Sequence, residues 1–278
     1  MNKVRNYQEV LDAIKEVKEV RKGILTNFFP DVEKITRWIN SGTFFISKIK
    51  DSLFLFRYQD DIVNFFFFTT TPEMLSLALA ELTPQMKETL LVTDLLGKPN
   101  DVSLLEEVFR TNKFFPYVTL CRMNKSSQDI LISDNHESLK VAGRQHADSI
   151  FHLLNTYFDP VAEQLPSQEE ILAWIDQGNI SIFEENKEIL GFVIYNLIGL
   201  TSYLRYWFVH PQHRDKKIGS VLLNKFFSAS KEAKRQLFWV IQSNDNAIKR
   251  YKHYGFEPEN LVDSVMTNKN IHYEAKGD

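Results

Sequence analysis

Between Val209 and Ser220 the chain reads Val-His-Pro-Gln-His-Arg-Asp-Lys-Lys-Ile-Gly-Ser, a strand end followed by a basic turn. Gly219, Leu222, Leu223, Phe226 and Phe227 then recur at spacings that place them on one side of a helix. A helix starting there presents unpaired N–H groups and the positive end of its dipole where Arg214, Lys216 and Lys217 gather. That is an anion site, and its several cations suit a pyrophosphate better than a single carboxylate. Gly219 would let a ligand approach the backbone closely.

A strand-like run, Arg235 to Gln242, leads into Ser243-Asn244-Asp245-Asn246, a cluster of good N-cap residues. On the helix that begins there, Asn244, Ala247 and Tyr251 lie one above the other, and Gly255 ends it as a left-handed cap before Phe256 and Pro258.

Together these two stretches resemble the GNAT N-acetyltransferase superfamily. The motifs that carry the likeness are Val-x-Pro-x-x-Arg-x-x-x-x-Gly-Ser and, after a strand, Asn-x-x-Ala-x-x-x-Tyr-x-x-x-Gly-Phe. The resemblance implies acetyl-CoA as acyl donor. It places CoA along Phe208, Val209, Arg214, Asp215, Lys216, Lys217, Ile218, Gly219 and Ser220, with Asn244, Ala247 and Tyr251 on the far side. One position departs from the family pattern: Lys217 stands where the loop usually has its first glycine, so that it either contacts the phosphates or crowds them.

Acyl transfer from a thioester to an amine needs a deprotonated nucleophile, a site for the oxyanion and an acid for the departing thiolate. The resemblance gives the acid role to Tyr251 and the oxyanion to the backbone N–H of Val209. A phenol near pKa ~10 facing a thiol near ~8.5 needs tuning to act as its acid, and Tyr251 could instead only pack against CoA. No base is evident. Arg205 occupies the position where many relatives carry a glutamate, either holding an acceptor carboxylate or lying solvated on the strand surface. His210 and His213 carry imidazoles that could take a proton but sit in the turn, where contact with phosphate or solvent is the simpler role; a water chain is a further candidate. As a metal pair they have no third partner.

The elements that must position these groups repeat. A helix over Tyr7 to Val17, a second from Asp31 to Asn40 stopping at Gly42, three strands from Thr43 to Thr70, and a helix capped by Thr71 with Pro72 in its first turn come first. The run Phe65 to Phe68 reads as a strand buried on both faces. Leu90 to Leu95 reads as a strand, Val102 to Phe109 as a helix and Tyr117 to Met123 as a strand. The order then restarts: helices over Ile150 to Phe158 and from Ser167 to Gly178, and strands at Ile180 to Glu184, Ile189 to Asn196 and Tyr203 to Val209. Trp38-Ile39-Asn40-Ser41-Gly42 lies over Trp174-Ile175-Asp176-Gln177-Gly178, and Phe56 falls on Phe192 at the same offset. The chain therefore reads as an α/β protein with mixed sheets, two tandem GNAT-like domains, residues 1–128 and 129–278, with Ser126 to Asp129 as the linker. Mycothiol synthase and the glycine N-acyltransferases resemble this plan. In the first copy the strand ending at Thr70 runs straight into Thr71-Pro72, which leaves no phosphate loop, and Pro72 removes an N–H donor. That copy is expected to bind no CoA and to serve as scaffold or as a wall of the acceptor site.

At 278 residues the chain is long enough for two domains of about 100 to 150 residues. A net charge of -3 argues against a general nucleic-acid or membrane-surface role. The one cysteine, Cys121, excludes an internal disulfide and agrees with a reducing, cytoplasmic setting. The expected function is acyl transfer to a small amine or amino-acid-like acceptor. Two rivals stand beside it: an acyl-CoA-binding sensor without turnover, and an aminoacyl-tRNA-dependent transferase of the peptidoglycan type.

Overall fold

The computed structural model describes residues 1–20, 23–126 and 136–274. The chain forms two units, Met1–Leu120 with Asn260–Glu274, and Cys121–Glu259. Beyond Ser126, the linker segment and the 128/129 division fall outside the described residues.

The first unit runs β1 (Asn2–Lys3), α1 (Tyr7–Val20), β2 (Leu25–Thr26), α2 (Val32–Asn40), β3 (Phe44–Ile49), β4 (Ser52–Gln59), β5 (Ile62–Thr69), α3 (Pro72–Gln85), β6 (Leu90–Gly97), α4 (Pro99–Thr111) and the start of β7 (Phe115–Ser126). The second runs from the end of β7 through β8 (Leu139–Val141), α5 (Ala147–Tyr157), α6 (Pro160–Glu163), α7 (Gln168–Asp176), β9 (Ile180–Glu185), β10 (Glu188–Ile198), β11 (Thr201–Val209), a 3-10 turn (Pro211–Lys216), α8 (Ile218–Ala229), β12 (Arg235–Ile241) and α9 (Asp245–His253). The last strand, β13 (Glu257–Thr267), returns to the first unit, where Val262 to Thr267 pair antiparallel with β6. Strand order is β1-β3-β4-β5-β6-β13 in the first unit and β7-β12-β11-β10-β9-β8 in the second.

Local chemistry sets the element ends. Thr71 accepts from Met74 N and places Pro72 in the first turn of α3. Pro99 likewise starts α4 three residues ahead of the Val102 start expected from periodicity. Equivalent positions in the two copies do equivalent work. Asp31 caps α2 as Ser167 caps α7; Gly42 and Gly178 leave those helices in the left-handed region at φ 73° and 71°.

Each sheet is covered on both faces, which explains the unbroken apolar runs. Phe65 and Phe67 face one cluster with Phe54, Phe109 and Phe114, while Phe66 and Phe68 face another with Ile35 and Trp38. Burying side chains of this size contributes about 2–3 kcal/mol each. In the second unit Leu222, Phe226 and Phe238 form one face and Ile150, Ile171, Phe192 and Phe208 the other. Cys121 is buried, and burial pushes its thiol pKa up. Among the described residues no helix is long and apolar enough to cross a membrane.

Candidate active site

The site begins where two strands part. β11 and β12 are paired in parallel at Thr201–Arg235, Ser202–Gln236 and Tyr203–Leu237. Past that point β11 runs on to Val209 and β12 to Ile241 without a further register between them among the described residues. β11 instead stays on β10, up to Gly191 opposite Val209. In that ladder the register slips between Ile194–Tyr206 and Tyr195–Leu204, which makes Arg205 the extra residue of a bulge; a bulge bends its strand and increases its twist. His210 N donates to Leu190 O at 2.8 Å. Antiparallel alternation therefore turns the N–H of Val209 to the opposite edge, the one β12 has left.

At the top of this gap the chain makes its basic turn. Arg214, Asp215, Lys216 and Lys217 are exposed. Lys217 takes the glycine-like conformation itself, φ 60° and ψ 11°, so the loop path is kept without glycine. As the cap residue of α8 it supplies no side-chain hydrogen bond, and Ser220 N and Val221 N both close on its carbonyl. The first N–H groups of α8 are thus presented beside three cations. Gly219 has a packing reason that its spacing did not reveal. A β-carbon there would stand 3.0 Å from the Trp207 ring and 3.4 Å from a Val209 methyl, so glycine lets α8 close onto β11.

Tyr251 reaches the gap from α9. Its ring lies 4.1 Å from that of Phe238 on β12 and 5.5 Å from that of Trp207 on β11, spanning the two strands as they diverge. Burial, and after it the charge of Glu163, push the phenol up from its ordinary pKa, while Arg250 pulls the other way. Ser220 Oγ and Tyr254 Oη are hydrogen-bonded at 2.8 Å beside it. Asn244 is the N-cap of α9, its Oδ1 taken by Ala247 N at 2.9 Å, so its side-chain oxygen is already engaged. The side chains of Phe208 and Ile218 are buried in the two cores and do not line the turn. Trp207 Nε1 and His213 Nδ1, both near this turn, are among the buried side-chain atoms of the described residues that have no hydrogen-bond partner.

Arg205, weighed as an acceptor contact, and His210, weighed as a base, are placed as follows. Arg205 is exposed, with Nε on Asn196 Oδ1 at 3.0 Å and its guanidinium over the Tyr203 ring, so it sits on the strand surface. His210 accepts from Gln212 N through Nδ1 and meets Tyr157 Oη through Nε2 at 3.0 Å, which engages both nitrogens. The carboxyl that sequence reasoning missed is Glu163, at the end of the four-residue α6. Asp159 caps that turn through Val161 N and Ala162 N, and the Glu163 carbonyl accepts from Tyr206 Oη at 3.2 Å. Burial, then the charge of Asp159, push the Glu163 carboxyl up to about 7. The charge of Glu163, at the end of α6, acts on the Tyr251 phenol of α9. Asp159-Pro160, a capping residue followed by a first-turn proline, was the available signal for α6.

The first unit contains the same parting of strands, already filled. β5 and β6 pair in parallel only at Ile62–Leu90, Val63–Leu91 and Asn64–Val92 among the described residues. On the freed edge of β5 lies β2, with Leu25 opposite Thr69 and Thr26 opposite Phe68. Asn27 then bridges the gap: Oδ1 accepts from Phe67 N at 2.9 Å, and Nδ2 donates to Thr93 Oγ1 at 2.8 Å and to Asp94 O at 2.9 Å. β5 ends at Thr69 and α3 starts at Pro72, with no basic loop between them.

Fold and site together describe a duplicated α/β acyltransferase. The sequence model of the Acetyltransferase (GNAT) family matches residues 147–256, within the second unit. Among solved structures, a tandem GNAT protein from the clavulanic acid biosynthesis pathway aligns at TM-score 0.58 and 10% identity, over 95% of this chain and 96% of that one. A probable N-acyltransferase from Enterococcus faecalis aligns at TM-score 0.59 and 11% identity, over 96% and 71%. A GCN5-related N-acetyltransferase from Sphaerobacter thermophilus aligns at 0.57 and 9%, over 78% and 76%. At these identities the likeness shows the fold, two tandem GNAT-like domains. No curated protein matches the sequence.

Proposed function

We propose that the second unit transfers an acetyl group from acetyl-CoA directly to the primary amine of a small, amino-acid-like acceptor. The observation that carries this reading is the gap between β11 and β12, where the Val209 N–H, the Tyr251 phenol and the uncapped start of α8 converge. The donor supplies a thioester carbonyl as electrophile. The residues present suit it: Arg214, Lys216 and Lys217 with the N-terminus of α8 would hold the pyrophosphate, and the Trp207 Nε1 donor fits an amide oxygen of the pantetheine arm. The Val209 N–H stabilises negative charge developing on the carbonyl oxygen, and Tyr251 protonates the leaving sulfur. The single buried Cys121 agrees with a reducing, cytoplasmic setting.

The two units divide the work. The first takes no acyl-CoA, because β2 and Asn27 fill its gap and no basic loop crowns it. The test is calorimetric titration with acetyl-CoA followed by thiol release with a panel of primary amines. Tyr251→Phe is expected to keep the affinity and lower turnover about 10²-fold or more. Full turnover in Tyr251→Phe would remove the acid role. Unchanged affinity in Arg214→Glu with Lys216→Glu would remove the phosphate site.

A further inference from the structure

The hairpin between β10 and β11 turns through Leu197-Ile198-Gly199-Leu200, and there the chain places apolar side chains outside. Leu197 is 50% exposed, Ile198 57% and Leu200 55%. Leu197 and Ile198 are neighbours on one strand and point to opposite faces, so neither face of the tip is covered. The register gives the reason. β9 begins at Ile180 opposite Ile194, and β12 begins at Arg235 opposite Thr201, so the tip residues stand beyond both flanking strands. The first unit shows that the fold does not require an apolar tip. Its hairpin between β4 and β5, which the Ile62–Leu90 register places at the same end of the corresponding parallel pair, turns through Gln59-Asp60-Asp61-Ile62. A polar turn serves the same connection there.

We propose that this tip is a peripheral docking point on an anionic lipid bilayer, with Leu197, Ile198 and Leu200 entering its interface. Cations flank the tip. Leu200 O accepts from Lys234 N at 2.8 Å, and Lys231, Lys234 and Arg235 are exposed on that flank, with Glu232 the one carboxylate of their turn. On β11 itself the exposed Arg205 is held by Asn196 and lies over the ring of Tyr203, an aromatic residue with a polar end that suits a membrane–water boundary. The net charge of -3 belongs to the whole chain, whereas this end of the sheet is locally basic. Cations beside an anionic surface add attraction that fades within a Debye length, so they act where the apolar tip touches. A protein partner fits less well. A stable protein interface covers about 800 Å² on each side, and three side chains on a projecting turn supply a small part of that. A bilayer takes a convex apolar tip without a matching hollow. The contact is also remote from the acyl-transfer gap: β11 runs nine residues from Thr201 to Val209, about 25–30 Å. The proposal therefore stands independently of the acyl-transfer reading.

The test is co-sedimentation of the intact protein with vesicles of phosphatidylcholine alone and of phosphatidylcholine mixed equally with phosphatidylglycerol, at low and at high salt. The native protein is expected to sediment with the mixed vesicles, to stay in solution with the neutral ones, and to bind about tenfold more weakly or worse at high salt. Leu197→Ser with Ile198→Ser and Leu200→Ser should lower vesicle affinity about tenfold or more, and so should Lys231→Glu with Lys234→Glu. Both sets lie on the surface and should leave the melting temperature close to native. Leu200→Trp gives a direct reading of insertion, since its indole emission should move to shorter wavelength with the mixed vesicles and not with the neutral ones. No sedimentation of the native protein with the mixed vesicles, or an affinity unchanged by the three serines, overturns the proposal. Loss on charge reversal with retention in the serine variant marks a general polyanion contact, and a native dimer that the serine variant dissociates marks an interface between copies of the chain; either result also overturns it.

Discussion

At the scale of single residues, the protein keeps a lysine where the loop geometry favours glycine and a carboxyl where an apolar residue would be more stable. Lys217 sits at φ 60°, a conformation that costs an L-residue about 1–2 kcal/mol. Lys217→Gly should therefore raise the melting temperature of the ligand-free protein while weakening acetyl-CoA binding, with melting and calorimetry run side by side. A drop in melting temperature would mean that the lysine side chain has a stabilising contact. The departure was visible in the sequence, but the left-handed conformation that Lys217 takes was not, because backbone conformation is set by the turn as a whole. Glu163 carries a linkage signature. Its folded-state pKa lies above the ordinary 4.5, at about 7, so the folded state binds the extra proton and stability is lost as pH rises between those values. The loss approaches roughly 3 kcal/mol above pH 7 and should be absent from the melting curve of Glu163→Gln measured across that window. Nothing in the spacing of the chain pointed to Glu163. Its place depends on a four-residue helix, a tertiary fact.

At the scale of elements, the two copies solve the same problem differently. A parallel strand pair opens after three register positions in each unit, at Asn64–Val92 and at Tyr203–Leu237. In the first unit Asn27 bridges the gap through three hydrogen bonds. Removing them with Asn27→Ala should cost about 2–3 kcal/mol of stability, read by denaturant unfolding, and leave acetyl-CoA affinity unchanged. A gain of a second acetyl-CoA site in that variant would show that the segment only masks a competent cleft. In the second unit the gap depends on β10 holding β11 in register. Gly191 permits this, since a β-carbon there would fall 2.7 Å from the backbone oxygen of Phe208. Gly191→Ala should thus displace β11, destabilise the protein by about 1–3 kcal/mol and weaken acetyl-CoA binding; an unshifted affinity would separate the site from the strand. The helices other than α6, the caps at Thr71 and Ser167, and the doubly buried Phe65 to Phe68 strand were legible from periodicity and turn chemistry. The two-residue strand β2 was not, because its pairing is set by a distant edge and not by its own pattern.

At the scale of the whole molecule, the proposed function gives a duplicated fold one complete site. The repeat was legible in the Trp38–Gly42 and Trp174–Gly178 segments, and the caps and left-handed glycines at equivalent positions bear it out. The return of β13 to the first unit was not legible, since a terminal strand gives no sign of which sheet it joins. The proposed function gives the chain a single acyl-CoA site, crowned by Arg214 and Lys216. Calorimetric titration of the intact protein with acetyl-CoA, native and Arg214→Glu with Lys216→Glu, tests it most directly. One equivalent per chain, weakened at least tenfold in the double variant, is the predicted result. No binding, two equivalents, or an affinity indifferent to the charge reversal would contradict it.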